Sequence, residues 1–339
     1  RPPKKQSFVA ERRRNRSPGW ISPWWKTMTS HNGEHLDMLG QRESATASAS
    51  SRTLQVPSSQ PQSESEASSE ASGEAKRRRL TVVRGHIPSE LEELLTKPFS
   101  EEEREHIFES VGLTTVERQT EKRPIALWLF GPPAAGKTSV SDEVEEDYFG
   151  ATGAAVSIDG SHVRDSHTGF QKVLKHGFDN QMIHADAWSK LKATKYVERL
   201  KEEIFHLAVK NRQHIKICDA AQKPERARKM LKSLEDADYE LHAMCLWVPE
   251  VAIRSRGQHR SAESGRVVCS STYASSSEAT LAFAKSWDEQ IRAADPRYKS
   301  LVLLDNTPRQ AMRISLEEFE ARTRWQPEEA EKHYHELRN

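Results

Sequence analysis

Cysteine is scarce in this sequence of 339 residues, and long apolar runs are missing. The three cysteines, Cys218, Cys245 and Cys269, lie far apart and form no Cys-x-x-Cys pair. This spacing excludes a disulfide scaffold and argues against a structural zinc site. The sequence also lacks any apolar run long enough for an ordinary transmembrane helix, which predicts no membrane partner. Because it shows no apolar signal core either, we expect an intracellular protein, cytoplasmic or nuclear.

Hydrophobic residues are also few. They make up 35% of the chain, charged residues make up 30%, and the mean hydropathy is -0.79. Segments of such polarity cannot bury enough apolar surface to offset the entropy lost on ordering. Residues 41–75 are such a segment, because Leu54 and Val56 are their only large apolar residues. Together with the basic residues 1–26, they predict a disordered, basic and Ser-rich N-terminal region over residues 1–85.

The overall charge is nearly balanced. The 51 Lys and Arg residues and the 50 Asp and Glu residues give a net charge of +1, so the whole chain has no bias towards polyanions. Two segments are locally basic, residues 1–26 and 76–79. Each has two interpretations, a nucleic-acid or nuclear-import patch and a solvated run of charge. A nucleic-acid partner therefore stays open, as does the oligomeric state.

Ordered structure is predicted from about residue 86. Ser89 and Ser100 are candidate N-caps, and Glu103 completes a capping-box pattern with Ser100. These patterns predict a helical cap over residues 86–120. Beyond it, apolar runs of strand length alternate with helical patterns, which is typical of a parallel sheet covered by helices on both faces. The runs lie at residues 125–130, 154–158, 214–218, 241–248 and 301–304; helical patterns include 184–210, and a charged helical tail is predicted over 311–339.

The first apolar run leads into a loop that fits the pattern G-x-x-x-x-G-K-[ST]. Glycines at this spacing let backbone N–H groups surround phosphate oxygens, and the next helix points its positive end at the same anion. Lys137 is expected to reach the phosphates of ATP, and Thr138 to hold Mg²⁺. The motif predicts an α/β P-loop NTPase over residues 121–310, a nucleotide-kinase-like three-layer sandwich with a mainly parallel sheet of about five strands. Its predicted nucleotide-binding residues are Gly131, Pro132, Pro133, Ala134, Ala135, Gly136, Lys137 and Thr138.

Missing motifs narrow the class of P-loop protein. The sequence has no Asn-Lys-x-Asp stretch and no LSGGQ-like run, which argues against guanine-specific GTPases and transporter ATPases. No Glu follows Asp219 at the end of the third apolar run, which argues against motor and unfoldase ATPases. A kinase that acts on a small hydroxyl or on a nucleotide remains. Such an enzyme needs carboxylates near the acceptor and Mg²⁺, and cations over the γ-phosphate.

Two aspartates and a group of arginines are candidates for these roles. Asp159 and Asp219 each end a predicted strand, and the carboxyl ends of parallel strands share one edge of a sheet. We expect Asp159 to orient the acceptor and Asp219 to join Thr138 at Mg²⁺, with a helix or turn cap as the alternative for each aspartate. A phosphate-covering lid, or a solvated basic face, is predicted for the arginines after the fourth strand: Arg254, Arg256, Arg260 and Arg266.

Together these residues resemble the zeta toxin family of P-loop kinases, over roughly residues 120–310. Residues 158–167 are similar to the family's strand-two motif, Ile-Asp-Gly-Asp-x-(Phe)-Arg-x-x-His-Pro. Arg266 is similar to the family's second nucleotide-contacting arginine, and Arg254 or Arg256 to the first. The resemblance implies transfer of the γ-phosphoryl of ATP to a hydroxyl, with Mg²⁺ as cofactor. Its implied catalytic residues are Lys137, Asp159, Arg254 and Arg266, and its implied substrate-binding residues are Asp159, Arg164 and His167.

The sequence departs from the family motif at two positions. Ser161 lies where the family has its catalytic aspartate, and Thr168 lies where it has proline. Serine cannot act as a carboxylate base, so either Asp159 or Asp165 takes over, or catalysis is weak, or the register differs by two. Three functions are therefore considered. They are a kinase for a small molecule such as a UDP-N-acetylglucosamine-type sugar nucleotide, an ATP-binding module with little or no kinase activity, and a polynucleotide-end kinase.

Overall fold

The structure, a computed structural model, describes residues 52–53, 81–83, 87–114, 122–264, 272–307 and 311–337. The predicted N-terminal region of residues 1–85 lies outside the described residues, apart from Arg52–Thr53 and Thr81–Val83. These two segments form short strands that the polar composition did not predict. Among the residues that the structure describes, no helix combines the length and apolarity that crossing a bilayer requires.

Strands and helices alternate along most of the described chain. The strands are β1 (Arg52–Thr53), β2 (Thr81–Val83), β3 (Ile125–Phe130), β4 (Ala155–Ile158), β5 (Met182–His184), β6 (His214–Asp219), β7 (Glu240–Trp247), β8 (Tyr298–Asp305) and β9 (Met312–Arg313). The helices are α1 (Ser89–Leu95), α2 (Glu101–Ser110), α3 (Lys137–Phe149), α4 (Gly160–Asp165), α5 (Thr168–Asp179), α6 (Ala187–Ala193), α7 (Tyr196–Lys210), α8 (Pro224–Asp236), α9 (Glu250–Ser264), α10 (Tyr273–Arg292), α11 (Leu316–Thr323) and α12 (Pro327–Glu336).

A six-stranded sheet in the order β4-β6-β3-β7-β8-β9 forms the centre of the fold. Its first five strands are parallel, and β9 pairs antiparallel with the end of β8. A smaller sheet has the order β1-β2-β5. The mainly parallel architecture confirms the predicted α/β fold. The sequence did not reveal β9, because two residues are too few to show a strand periodicity.

The burial of β3 shows why the fold has three layers. Successive side chains of a strand point to opposite faces of its sheet. Trp128 and Phe130 lie in one apolar core, with residues of α7, α8 and α10. Leu127 and Leu129 lie in a second core, with residues of α3, α9 and α12. Because both faces of β3 are buried, its sequence is a continuous apolar run rather than an alternating one.

The helical pattern predicted over residues 184–210 is interrupted in the structure and forms two helices rather than one. Residue 184 ends β5, and α6 and α7 follow as separate helices. Between the two helices, Lys195 adopts a left-handed conformation with φ 62°, and Thr194 Oγ1 accepts a hydrogen bond from Tyr196 N at 3.2 Å. The apolar periodicity continues through the break, because both helices bury one face against the same core.

The N-terminal cap consists of α1 and α2. Ser100 accepts a hydrogen bond from Glu103 N at 3.2 Å, and Glu103 Oε2 accepts one from Ser100 N at 2.7 Å, so the capping box forms as its sequence predicts. For α1 the expected cap is wrong by one residue: Pro88, and not Ser89, is the N-cap. The cap joins the main domain after α2, where Val111 O accepts a hydrogen bond from Ser157 N of β4 at 3.0 Å.

Candidate active site

The glycine-rich loop lies between the end of β3 and the start of α3. Two of its residues have left-handed backbones, Ala134 with φ 64° and Gly136 with φ 89°. The space beside Gly136 is tight, since a Cβ atom there would lie 2.5 Å from Asn306 Nδ2. The loop turns directly into a helix of thirteen residues, whose N-terminal amides favour an anion. The left-handed backbone therefore favours glycine at position 136, and a side chain there would also have to displace the Asn306 amide.

Lys137 folds back over this loop. Its Nζ donates hydrogen bonds to Gly131 O at 2.7 Å and to Pro132 O at 2.9 Å. Burial lowers the pKa of Lys137, while the negative charges of Asp159 and Asp219 act in the opposite direction. The ammonium group thus lies among the acidic ends of two strands, where it can exchange carbonyl oxygens for phosphate oxygens.

Asp159 follows β4 and connects the loop helix to α4. Its Oδ2 accepts a hydrogen bond from Thr138 Oγ1 at 3.1 Å, and its Oδ1 accepts one from Ser161 N at 2.7 Å. Burial raises the pKa of Asp159, but the hydrogen bonds from Ser161 and Thr138 and the charge of Lys201 outweigh it, so the net pKa is lowered. Asp159 is therefore an ionised N-cap of α4 whose carboxylate also faces the loop.

Asp219 ends β6 beside Phe130, the last residue of β3. Its Oδ1 accepts a hydrogen bond from Ala221 N at 2.8 Å. The residue that Thr138 contacts is Asp159 rather than Asp219. Magnesium in kinase sites is held by one or two carboxylates together with substrate phosphates and water, so Thr138, Asp159 and Asp219 suit it. Within the described chain, no group of three or more His, Cys, Asp or Glu side chains could hold a metal ion without such a substrate.

A cleft of about 380 Å³ opens at this edge of the sheet. Its wall combines the glycine-rich loop, the start of α3, one face of α4 and one face of α9. The lining residues are Ala134, Thr138, Ser139, Asp159, Ser161, His162, Asp165, Arg256 and Arg260. Carboxylates and guanidinium groups therefore face each other across a space beside Thr138, an arrangement suited to an anionic ligand bound with a cation.

The arginines of α9 divide between two faces of the helix. Arg256 and Arg260 are four residues apart, share one face and line the cleft. Arg256 donates hydrogen bonds to Asn306 O at 2.5 Å and Ala135 O at 3.4 Å. Arg254 lies about 200° from Arg256 around the helix axis, because each residue of an α-helix turns by about 100°. It therefore faces away from the cleft, is exposed, and pairs with Glu250 at 2.7 Å. Of the two candidates for the first arginine, Arg256 lines the cleft and Arg254 does not, and the role of Arg254 stays a prediction. Arg266 lies outside the described residues.

Arg164 lies behind the cleft rather than in its wall. Its guanidinium packs over the rings of Phe170 at 5.3 Å and Trp188 at 5.1 Å, and its Nε donates to Asp165 Oδ1 at 3.0 Å. Burial lowers its pKa to about 10, and the charge of Arg260 acts in the same direction. From this position Arg164 holds the Asp165 carboxylate, while its predicted contact with substrate stays a prediction.

His167, predicted to bind substrate, lies outside the lining of this cleft. Its ring is buried. Nδ1 accepts a hydrogen bond from Phe170 N at 3.2 Å, so Nε2 carries the proton and donates to Lys97 O at 2.9 Å. Both ring nitrogens are therefore used by main-chain groups. The residue caps α5 and joins it to the segment after α1.

Sequence reasoning missed Asn306 as a residue of this site. It follows β8, and its Nδ2 donates to Ala135 O at 2.7 Å. Its position at the carboxyl end of a parallel strand is the one signal that could have identified it, because that edge of the sheet carries the loop. Asp165 and His162 also line the cleft, on the same short helix as Ser161.

Comparisons with known proteins identify a matching family. Residues 111–307, more than half of the chain, match the family described as Zeta toxin. A structure from the PezAT chromosomal toxin-antitoxin system of Streptococcus pneumoniae is 14% identical, has a TM-score of 0.47, and is matched over 72% of this chain and 96% of that one. The AvrRxo1-ORF1:AvrRxo1-ORF2 structure with sulphate ions is 11% identical, with a TM-score of 0.44 and 66% of each chain covered. Its counterpart with ATP is 12% identical, with a TM-score of 0.41, covering 66% of this chain and 65% of that one. No curated protein gives a significant match.

Proposed function

Because the chain belongs to the zeta toxin family, we propose that it is an ATP-dependent kinase that transfers the γ-phosphoryl group to a hydroxyl of a small molecule. The observation that carries this proposal is the cleft beside Thr138, where the glycine-rich loop, two carboxylates and two arginines meet. Phosphoryl transfer depends mainly on positioning and on neutralising charge, and this cleft offers groups for both.

Each group at the ATP end of the cleft has a distinct role. The loop amides and the N-terminus of α3 bind the phosphates. Lys137 leaves Gly131 O and Pro132 O and binds phosphate oxygens in their place. Arg256 and Arg260, which line the opposite wall, offset the negative charge that moves between the oxygens. Thr138 and Asp159, with Asp219 nearby, would hold Mg²⁺, which supplies positive charge at the phosphates.

The acceptor hydroxyl is proposed to lie between Asp159 and Asp165. Both Asp159 oxygens already accept hydrogen bonds, from Thr138 and Ser161, so Asp159 serves the loop side of the cleft. Asp165 is four residues after Ser161 on α4 and lines the same cleft, with its Oδ1 held by Arg164. These contacts support Asp165 as the carboxylate that binds and deprotonates an acceptor in the absence of an acid at position 161. The cleft volume suits a small ligand, and a UDP-N-acetylglucosamine-type sugar nucleotide is the first acceptor to test.

A turnover assay with a panel of acceptors tests this function. The full chain is incubated with Mg·ATP and sugar nucleotides, nucleosides or 5′-hydroxyl oligonucleotides, and phosphorylated products are identified by mass spectrometry. Lys137→Ala should reduce transfer at least about a hundredfold, because it removes a phosphate contact in the transition state. The control Lys175→Ala alters an exposed lysine paired with Asp179 on α5 and should leave transfer unchanged. Equal turnover in Lys137→Ala and wild type would contradict the assignment.

A second candidate function is ATP binding with little transfer. The observation that favours it is Ser161, which lines the cleft at the place of an aspartate in the resembled motif. Calorimetry with Mg·ATP distinguishes the two: heat of binding without a phosphorylated product from any acceptor supports the binding module. A polynucleotide-end kinase stays a prediction, because the basic residues 1–26 and 76–79 lie outside the described residues.

A further inference from the structure

Asn306 holds the glycine-rich loop from the side of β8. Its Nδ2 donates to Ala135 O at 2.7 Å and lies where a side chain at Gly136 would be. Its backbone N donates to Trp247 O at 3.0 Å, and its backbone O accepts from Arg256 at 2.5 Å. One residue thus connects the loop, the end of β7 and a cleft arginine.

The preceding residue, Asp305, anchors the C-terminal segment of residues 311–337. Its carboxylate is fully buried. Oδ2 pairs with Arg322 of α11 and with His333 Nε2 of α12, the latter at 2.7 Å, and Oδ1 accepts a hydrogen bond from Thr307 N at 2.9 Å. A buried carboxylate is costly unless it is paired and hydrogen-bonded. The helices of the C-terminal segment therefore supply a guanidinium and an imidazole that pair with Asp305 and keep it in place.

Aromatic contacts and strand pairing strengthen the same junction. Arg322 also packs over the rings of Trp247 at 5.7 Å and Trp325 at 5.6 Å. β9 pairs with the last two residues of β8, so Asp305 lies opposite Met312. The C-terminal segment thus fixes the end of β8 by charge, by packing and by main-chain pairing, and Asn306 is the next residue along the chain.

We propose that the C-terminal segment of residues 311–337 positions the nucleotide-binding loop through Asp305 and Asn306. Asn306 is a positioning residue, because it acts on the loop amides through Ala135. The segment lies beyond the family match at residues 111–307, yet it is part of the support of the phosphate site. The expected ligand of the loop, Mg·ATP, follows from the proposed function; the positioning itself does not depend on it.

Hydrogen exchange of the loop amides tests the proposal without any ligand. Asn306→Ala removes the contact with Ala135. Arg322→Met removes a charged partner of Asp305 and leaves an unbranched apolar side chain in its place. In both variants the amides of residues 131 and 134–138 should exchange about fivefold or more faster than in the wild type. The double variant should show no further increase, since both changes act through one contact.

The control variant is Tyr298→Phe, at the opposite end of β8. It removes the hydrogen bond that Tyr298 OH makes with Glu235 at 2.6 Å and leaves Asp305 unchanged. Loop exchange that is unaltered in Asn306→Ala, or that rises equally in Tyr298→Phe and Arg322→Met, would overturn the proposal. Mg·ATP binding is measured in parallel by calorimetry: a wild type that binds none contradicts the kinase function, while the exchange data still decide the role of the segment.

Discussion

Gly136 and Gly150 flank α3 and share a left-handed backbone, with φ 89° and 80°, but their surroundings differ. Asn306 fills the space beside Gly136, whereas nothing lies within 4 Å of a Cβ atom at Gly150. Gly136→Ala should therefore lose Mg·ATP binding at least about tenfold more than Gly150→Ala, since strain alone costs about 1–2 kcal/mol at either site. Calorimetry on both variants checks this, and equal binding in the two would show that the close approach of Asn306 has no role.

The position of the carboxylate on α4 can be changed by substitution. Ser161 and Asp165 both line the cleft, so we expect Asp165→Asn to lower kcat by about tenfold to a hundredfold with little change in KM for ATP. Adding Ser161→Asp to that variant should recover part of the rate, because a carboxylate again faces the acceptor. Steady-state kinetics with the identified acceptor measure both effects. The exposed Asp147→Asn of α3 serves as control, and full activity of Asp165→Asn would assign the acceptor contact to another group.

At the scale of elements, His167 determines how α1 packs on α5. Replacing it by alanine removes its hydrogen bonds to Phe170 N and Lys97 O and leaves a cavity. We expect the free energy of unfolding to fall by about 2–4 kcal/mol and exchange of residues 89–97 to rise, as read by urea denaturation and hydrogen exchange. His206→Ala changes an exposed histidine and should cost less than about 0.5 kcal/mol. A similar loss in both variants would contradict this role.

Local patterns predicted most elements of the sheet but not how their residues face one another. The strand β3, the glycine-rich loop and the capping box each depend on neighbouring residues, so the sequence alone indicates them. The break at Lys195 does not disturb the apolar periodicity on either side. The choice between Arg254 and Arg256 requires the phase of α9, and the contact of Asn306 with Ala135 joins residues 171 positions apart. Such information arises only from packing.

At the scale of the whole molecule, acid should weaken the fold through carboxylates such as Asp295. Hydrogen bonds from Arg297 hold the pKa of Asp295 below its ordinary value. Because the folded pKa is lower than the unfolded one, about 3.9, the ionised form stabilises the fold above that pH and its contribution is lost as the pH falls through the folded pKa. Asp295→Asn should cost up to about 1 kcal/mol at pH 7 and much less near pH 2. Denaturation at both pH values measures the free energy of unfolding, with Glu143→Gln, a change of an exposed carboxylate, as the control. An equal loss in Asp295→Asn at pH 7 and at pH 2 would contradict the prediction.

The pairing of β9 with β8 also has a consequence for solubility. The peptide groups of Leu304 and Asp305 pair with Arg313 and Met312. An unpaired edge of a sheet can instead form hydrogen bonds with a strand of another chain. A version of this protein that ended before residue 311 would expose that sheet edge beside buried leucines. We expect copies of such a truncated chain to pair edge to edge and precipitate, for reasons that concern neither ATP nor catalysis.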